Sequence, residues 1–101
     1  MKVMISQPMN GKSNEQIIKE RVKIVEFLKN HLWEIVDTVF EEDAQFGCNA
    51  GVYYLAKSIE AMSKVDAVMF MNGWHKARGC QIEHEICLKY NIPTMYEYEV
   101  I

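Results

Sequence analysis

Glu83 stands where the helical pattern around it would lead one to expect an apolar residue. At about 100° per residue, Cys80, Ile82, Ile86, Cys87 and Tyr90 form one apolar arc, and Glu83 falls inside it. Burying a charged carboxylate is costly unless something compensates it. The spacing predicts a helix beginning near Gly79, which sets Glu83 close to the positive end of the helix dipole. A carboxylate in that position, facing a core or a cleft, is a candidate reactive group. A helix phase shifted by one residue, or an arginine at the core edge, would make it an ordinary glutamate.

Other side chains could assist it. The segment Ser6 to Lys12 (SQPMNGK) joins a strand to a helix. Its backbone N–H groups around Gly11, with Lys12 nearby, could hold an anion at the helix N-terminus; equally, it could be a plain turn. It has neither the glycine spacing of a P-loop nor that of a dinucleotide fingerprint. Arg78 could clamp a phosphate with two parallel bonds, or could pair with Glu85. Trp74 could stack on a base or pack on the domain. Cys80, His84 and Cys87 share a helix edge at i, i+4 and i+7. Zinc sites want four ligands, or three and a water. A fourth, His75 or Glu83, is conjectural, so small core cysteines are the simpler account, and no metal or cofactor is expected.

The elements that must carry these residues alternate. Lys2–Ser6 reads as a buried strand. Ser13 is a candidate N-cap, and Gln16 completes a capping-box pattern for a helix to about Asn30. Leu32–Val39 is a second strand candidate, and Glu41–Gly47 an acidic loop. Gly51–Lys64 has helical spacing, and Ala67–Met71 suits a buried parallel strand. A loop over 72–78 leads into the Gly79–Tyr90 helix, Asn91–Pro93 stops it, and Thr94–Tyr98 is the last strand. The tail from Met95 to Ile101 alternates apolar and acidic residues, as an edge strand or a subunit contact would. Such alternation predicts an α/β fold: a three-layer sandwich with a four- to five-stranded, mainly parallel sheet, flavodoxin-like in outline. Ligands of such sheets bind beyond the carboxyl ends of the strands. The loops at 6–12, 40–50 and 71–78 meet that edge.

The bulk properties agree with one globular domain over residues 1–101. Half the 101 residues are hydrophobic and a quarter are charged, and folding can bury roughly two-thirds of the surface of such a chain. A net charge of −3 offers no basis for holding a nucleic-acid polymer. No apolar run approaches the ~20 residues that span a bilayer, and no secretory signal is evident. The three cysteines, irregularly spaced, read as reduced thiols of a cytoplasmic protein.

Three blocks carry a resemblance: Met4–Gly11, Ser58–Phe70, and Ala77–Cys87 with Ile92 and Pro93. Together, in this order, they resemble the nucleoside 2-deoxyribosyltransferase-like superfamily, most closely its short bacterial and phage members. In the third block a Gly leads by four residues to a Glu, a small residue follows four later, and a Pro marks the exit into a strand. Gly79, Glu83, Cys87 and Pro93 stand there. The resemblance implies that Glu83 is the nucleophile of a nucleoside or nucleotide N-glycosidase or deoxyribosyltransferase. It also implies substrate contacts from Ser6, Pro8, Asn10, Gly11, Lys12, Ser58, Trp74, Arg78 and Gly79. Two acids of the active transferases are replaced, by Ser58 and Ala77, and Glu85 points away. The nearest acids on the right edge are Glu41, Glu42 and Asp43. A non-catalytic nucleotide or sugar-phosphate binding module is the alternative. Members of the superfamily often share site residues between subunits, so a homo-oligomer is expected.

Overall fold

The computed structural model describes residues 1–36, 47 and 49–101. Strands β1 (Lys2–Ser6), β2 (Glu34–Val36), β3 (Ala67–Phe70) and β4 (Thr94–Tyr96) alternate with helices α1 (Asn14–Asn30), α2 (Ala50–Met62) and α3 (Arg78–Tyr90); a 3₁₀ turn, Trp74–Lys76, precedes α3, and one helical turn, α4 (Glu97–Val100), ends the chain. The described strands form one parallel sheet in the order β2-β1-β3-β4. This is a flavodoxin-like α/β topology, as the alternation predicts. The strand order reverses direction after β2, so α1 covers one face of the sheet and α2 and α3 cover the other.

The period-2 alternation of the strands divides the core in two. Val3, Ile5, Met69 and Met71 point to one face and pack with Ile24 and Leu28 of α1. Met4, Val68 and Phe70 point to the other and pack with Met62 of α2 and Cys87 of α3. Ser6 continues the Met4 side, so its hydroxyl is delivered toward the α2/α3 layer. The register sets Ser6 beside Phe70 at the carboxyl end of the sheet. At the opposite end the Asp66 carboxylate accepts the Lys2 N–H at 2.7 Å and ties the start of β1 to β3.

Several local expectations are corrected. Ser13 does cap α1, accepting the Gln16 N–H at 3.2 Å. The Gln16 side chain does not reach back, because it donates to Glu20 instead, so the capping box has one arm. The second strand starts at Glu34 and not at Leu32: Leu32 takes φ 60° at the turn after α1 and is 91% exposed. Its continuation over 37–39, the acidic loop over 41–46 and Cys48 lie outside the described residues.

Helix α3 begins one residue early, at Arg78, and its C-terminal Asn91 is left-handed, with φ 56° and its N–H bonded to the Cys87 carbonyl. The buried face of α3 is narrower than the apolar arc suggested. Ile82 and Tyr90 are exposed, and Cys80, Glu83 and Cys87 are the buried positions. Thus Glu83 sits at the middle of the buried stripe. The last strand stops at Tyr96. The alternating tail turns into α4, whose Val100 packs on the α1-side core and whose Glu97 accepts the Asn72 N–H at 2.8 Å.

Candidate functional site

A cleft of about 1210 Å³ opens at the carboxyl ends of β1 and β3, where the N-terminal ends of α1, α2 and α3 converge. Parallel crossovers bring those helix ends to one edge, so their unpaired N–H groups and positive dipole ends surround the opening. Asn49 caps α2, its Oδ1 accepting the Val52 N–H at 3.1 Å. The left-handed Gly73 (φ 88°) lies against Pro8: a Cβ there would be 3.6 Å from the Pro8 ring. The loops after β1 and β3 therefore meet at one wall.

Glu83 lines the floor, 7% exposed. Ser6, buried at the end of β1, donates its hydroxyl to Oε1 of Glu83 at 2.6 Å. Burial pushes the Glu83 carboxyl above its ordinary pKa, and hydrogen bonds from Ser6 and Ser58 pull it back. Ser58 comes from α2, so three separate elements meet at one carboxylate. No other Asp or Glu among the described residues lines the cleft. Lys76 and Arg78 stand on its rim, which makes the described rim cationic although the chain is net acidic.

The remaining predicted contacts fall into two groups. Pro8, Asn10, Lys12, Ser58, Arg78 and Gly79 all line the cleft. Lys12 is held by Glu20 at 2.9 Å, and this bond lowers the Glu20 pKa. Arg78 does not pair with Glu85, which lies near Lys89 at 3.5 Å; its guanidinium instead reaches toward Gly51 at the start of α2. Gly11, at φ 77°, shapes the turn without lining the cleft. Trp74 also stays off the lining. It stacks on His84 with ring centroids 4.1 Å apart and contacts Phe70 and Tyr96.

The same cluster occupies His84, whose Nε2 is 2.7 Å from the Tyr96 hydroxyl. Cys87 packs in the core, Cys80 lies buried in the cleft lining, and burial pushes both thiols up to about 11. These three residues do not converge, and no described group of three or more His, Cys, Asp or Glu could hold a metal ion.

Gln7 and Arg21 escaped the sequence reading. Gln7 is buried in the cleft wall; it donates to the Ile17 carbonyl at 2.9 Å and accepts from Arg21 Nε at 2.9 Å. The signal was available: Ile17, Arg21, Ile24 and Leu28 follow i, i+4, i+7, i+11 on the buried stripe of α1.

A parallel α/β sheet with a cleft at its carboxyl edge and a hydrogen-bonded carboxylate on the floor defines the class: a flavodoxin-like domain with its cleft at the edge where sheets of this kind bind ligands. More particularly, residues 1–96 match the family described as "Domain of unknown function (DUF4406)", and the chain belongs to that family. Nothing matches among the curated proteins or the solved structures. Among the described residues, no helix is long and apolar enough to cross a membrane.

Proposed function

We propose that this domain is a nucleoside or nucleotide N-glycosidase or 2-deoxyribosyltransferase that acts through a covalent bond between the sugar and Glu83. The observation that carries the reading is a buried glutamate, hydrogen-bonded by Ser6 and with Ser58 beside it, on the floor of a cleft ringed by helix N-termini. The resemblance to the nucleoside 2-deoxyribosyltransferase-like superfamily in the Gly79–Glu83–Cys87–Pro93 spacing supports it. A cleft of this size accommodates a nucleotide, and the cationic rim of Lys76 and Arg78 suits a 5′-phosphate. No cofactor is required.

In this mechanism a Glu83 oxygen attacks the anomeric carbon, the C–N bond breaks, and its electron pair leaves with the base, which takes a proton. Water or a second base then attacks the same carbon, and the carboxylate departs. Water makes the protein a hydrolase, and a base makes it a transferase. The nucleophile works ionised: the helix N-terminus favours that state and burial opposes it. We further propose a cytoplasmic setting, in keeping with reduced thiols, and a homo-oligomer, in keeping with exposed apolar residues outside the cleft, such as Ile59 of α2 at 38%.

One observation favours a second reading, a non-catalytic nucleotide or sugar-phosphate binding module. No second carboxylate faces Glu83 among the described residues of the cleft, and Ser58 and Ala77 stand where acids are expected. Calorimetry and base release on one panel of nucleosides and 5′-monophosphates separate the two. Binding with base release supports the enzyme, and binding without release selects the module.

A further inference from the structure

Ser6 was expected to touch substrate, but its only O–H is committed elsewhere. A serine hydroxyl has one donor, and here it points at Glu83 Oε1, 2.6 Å away and out of bulk water. The Cys80 thiol, one turn before Glu83 on α3, is buried in the same cleft lining. It remains protonated at neutral pH because burial raises it to about 11. The Ser6–Glu83 bond is therefore built by the fold, between β1 and α3, and does not need the ligand.

Resting on the glycosyl-transfer reading above, we propose that Ser6 is a positioning residue that fixes Oε1 of Glu83 as the held oxygen, leaves Oε2 to form the bond to sugar, and speeds release of the carboxylate in the second step. In the first step Oε2 bonds to the anomeric carbon, the glycosidic C–N bond breaks, and the base leaves with the electron pair and takes a proton from cleft water. Oε1 is then the carbonyl oxygen of the glycosyl ester. In the second step a water oxygen bonds to the anomeric carbon and the C–Oε2 bond breaks. The electron pair returns to Glu83 and the water proton passes to solvent.

As that pair returns, negative charge is shared onto Oε1, where the Ser6 donor already lies. A fixed donor aimed at developing charge accelerates the step in which the charge appears. In the first step the same bond is strongest to the resting carboxylate, so it gives no gain there. The effect of Ser6 should therefore be confined to breakdown of the intermediate.

The test compares wild type, Ser6→Ala and Ser6→Thr with a panel of 2-deoxynucleosides and their 5′-monophosphates. Rapid-quench kinetics follow base release, and intact mass with peptide mapping follows the sugar on Glu83. Thermal melts confirm that each variant folds, and Ser6→Thr keeps a hydroxyl. We expect Ser6→Ala to release its first equivalent of base at least as fast as wild type, to turn over about tenfold more slowly or worse, and to accumulate the adduct. Ser6→Thr should restore turnover at least in part. An active wild type whose Ser6→Ala variant slows the first release, or turns over at the wild-type rate without adduct, overturns the role of Ser6 alone. A wild type that releases no base from any substrate sinks the glycosyl-transfer reading and this inference with it.

Discussion

The Ser6 hydroxyl, at the end of the first strand, donates to the Glu83 carboxylate across 77 residues of sequence at 2.6 Å. Sheet pleat and helix phase both have to be right for this bond. Ser6 must fall on the Met4 side of β1, and Glu83 must fall on the Cys80–Cys87 stripe of α3. The bond thus links the fold to the proposed chemistry, and it makes Glu83 a residue whose burial opposes stability.

That cost has a pH signature. The Glu83 pKa in the folded protein lies above its ordinary value because of burial. Between the two values the native state holds a proton that the unfolded chain has released. Stability on this account therefore falls as pH rises through that window and levels off above it. Glu83→Gln has no such proton, and its amide oxygen can still accept from Ser6. Melting curves against pH should show Glu83→Gln gaining on wild type as pH rises from the ordinary glutamate range toward neutrality. The opposite trend would mean that the fold favours the charged form.

Ser58→Ala removes the second hydroxyl from Glu83. With less to counter burial, the Glu83 pKa should rise further, and the acid limb of the pH–activity profile should move to higher pH. A hydrogen bond to a charged group contributes about 1.5–3 kcal/mol, so activity below that limb should fall by roughly tenfold or more. An unshifted acid limb would remove Ser58 from the site.

Tyr96 and Glu97 hold the segment that leads into α3. The Tyr96 hydroxyl meets His84 at 2.7 Å and the Glu97 carboxylate takes the Asn72 N–H at 2.8 Å. Tyr96→Phe keeps the ring contacts with Phe70 and Trp74 and loses one hydrogen bond. It should cost about 0.5–1.5 kcal/mol in urea unfolding. A larger loss would point to disruption of the aromatic cluster itself.

Gly73 adopts φ 88° where the β3–α3 loop passes Pro8. There is room for a methyl group, so Gly73→Ala meets backbone strain and not a clash. The left-handed conformation costs an L-residue about 1–2 kcal/mol. The midpoint of denaturant unfolding measures it, and no change would mean that the loop relaxes freely.

Both described thiols should resist alkylation. Cys80 and Cys87 are buried, with pKa values pushed up to about 11, and the thiolate is the reactive form. In a Cys48→Ser background, iodoacetamide at neutral pH should leave both unmodified until denaturant is added. Rapid native-state labelling at either would contradict their burial.

Much of the fold was legible because each strand is short, apolar and bounded by turn residues, and because Ser13 and the Ile17–Leu28 stripe mark one helix clearly. The boundaries that moved did so for local reasons. Leu32 looks like strand but occupies a left-handed turn, and the alternating tail after Tyr96 winds into α4, which contributes Val100 to the core and Glu97 to the Asn72 loop. At the site, Glu83 was visible as a polar break in an apolar stripe. The Ser6 bond was not, since it depends on which face of β1 meets α3. For Trp74 the sequence leaves base stacking and packing on the domain both open, because it cannot show that the ring stacks on His84 beside Phe70 and Tyr96. Arg21 was overlooked because arginine on an amphipathic helix is normally counted as surface.

The most direct measurement of the central claim is base release by wild type and Glu83→Gln, at equal concentration and verified fold, over deoxynucleosides and their 5′-monophosphates. Wild type should release base from at least one member, and Glu83→Gln should be slower by about 10³-fold or more, as expected when a nucleophile is removed. Base release by Glu83→Gln at the wild-type rate, or a wild type inert toward the whole panel, would contradict Glu83 as the nucleophile.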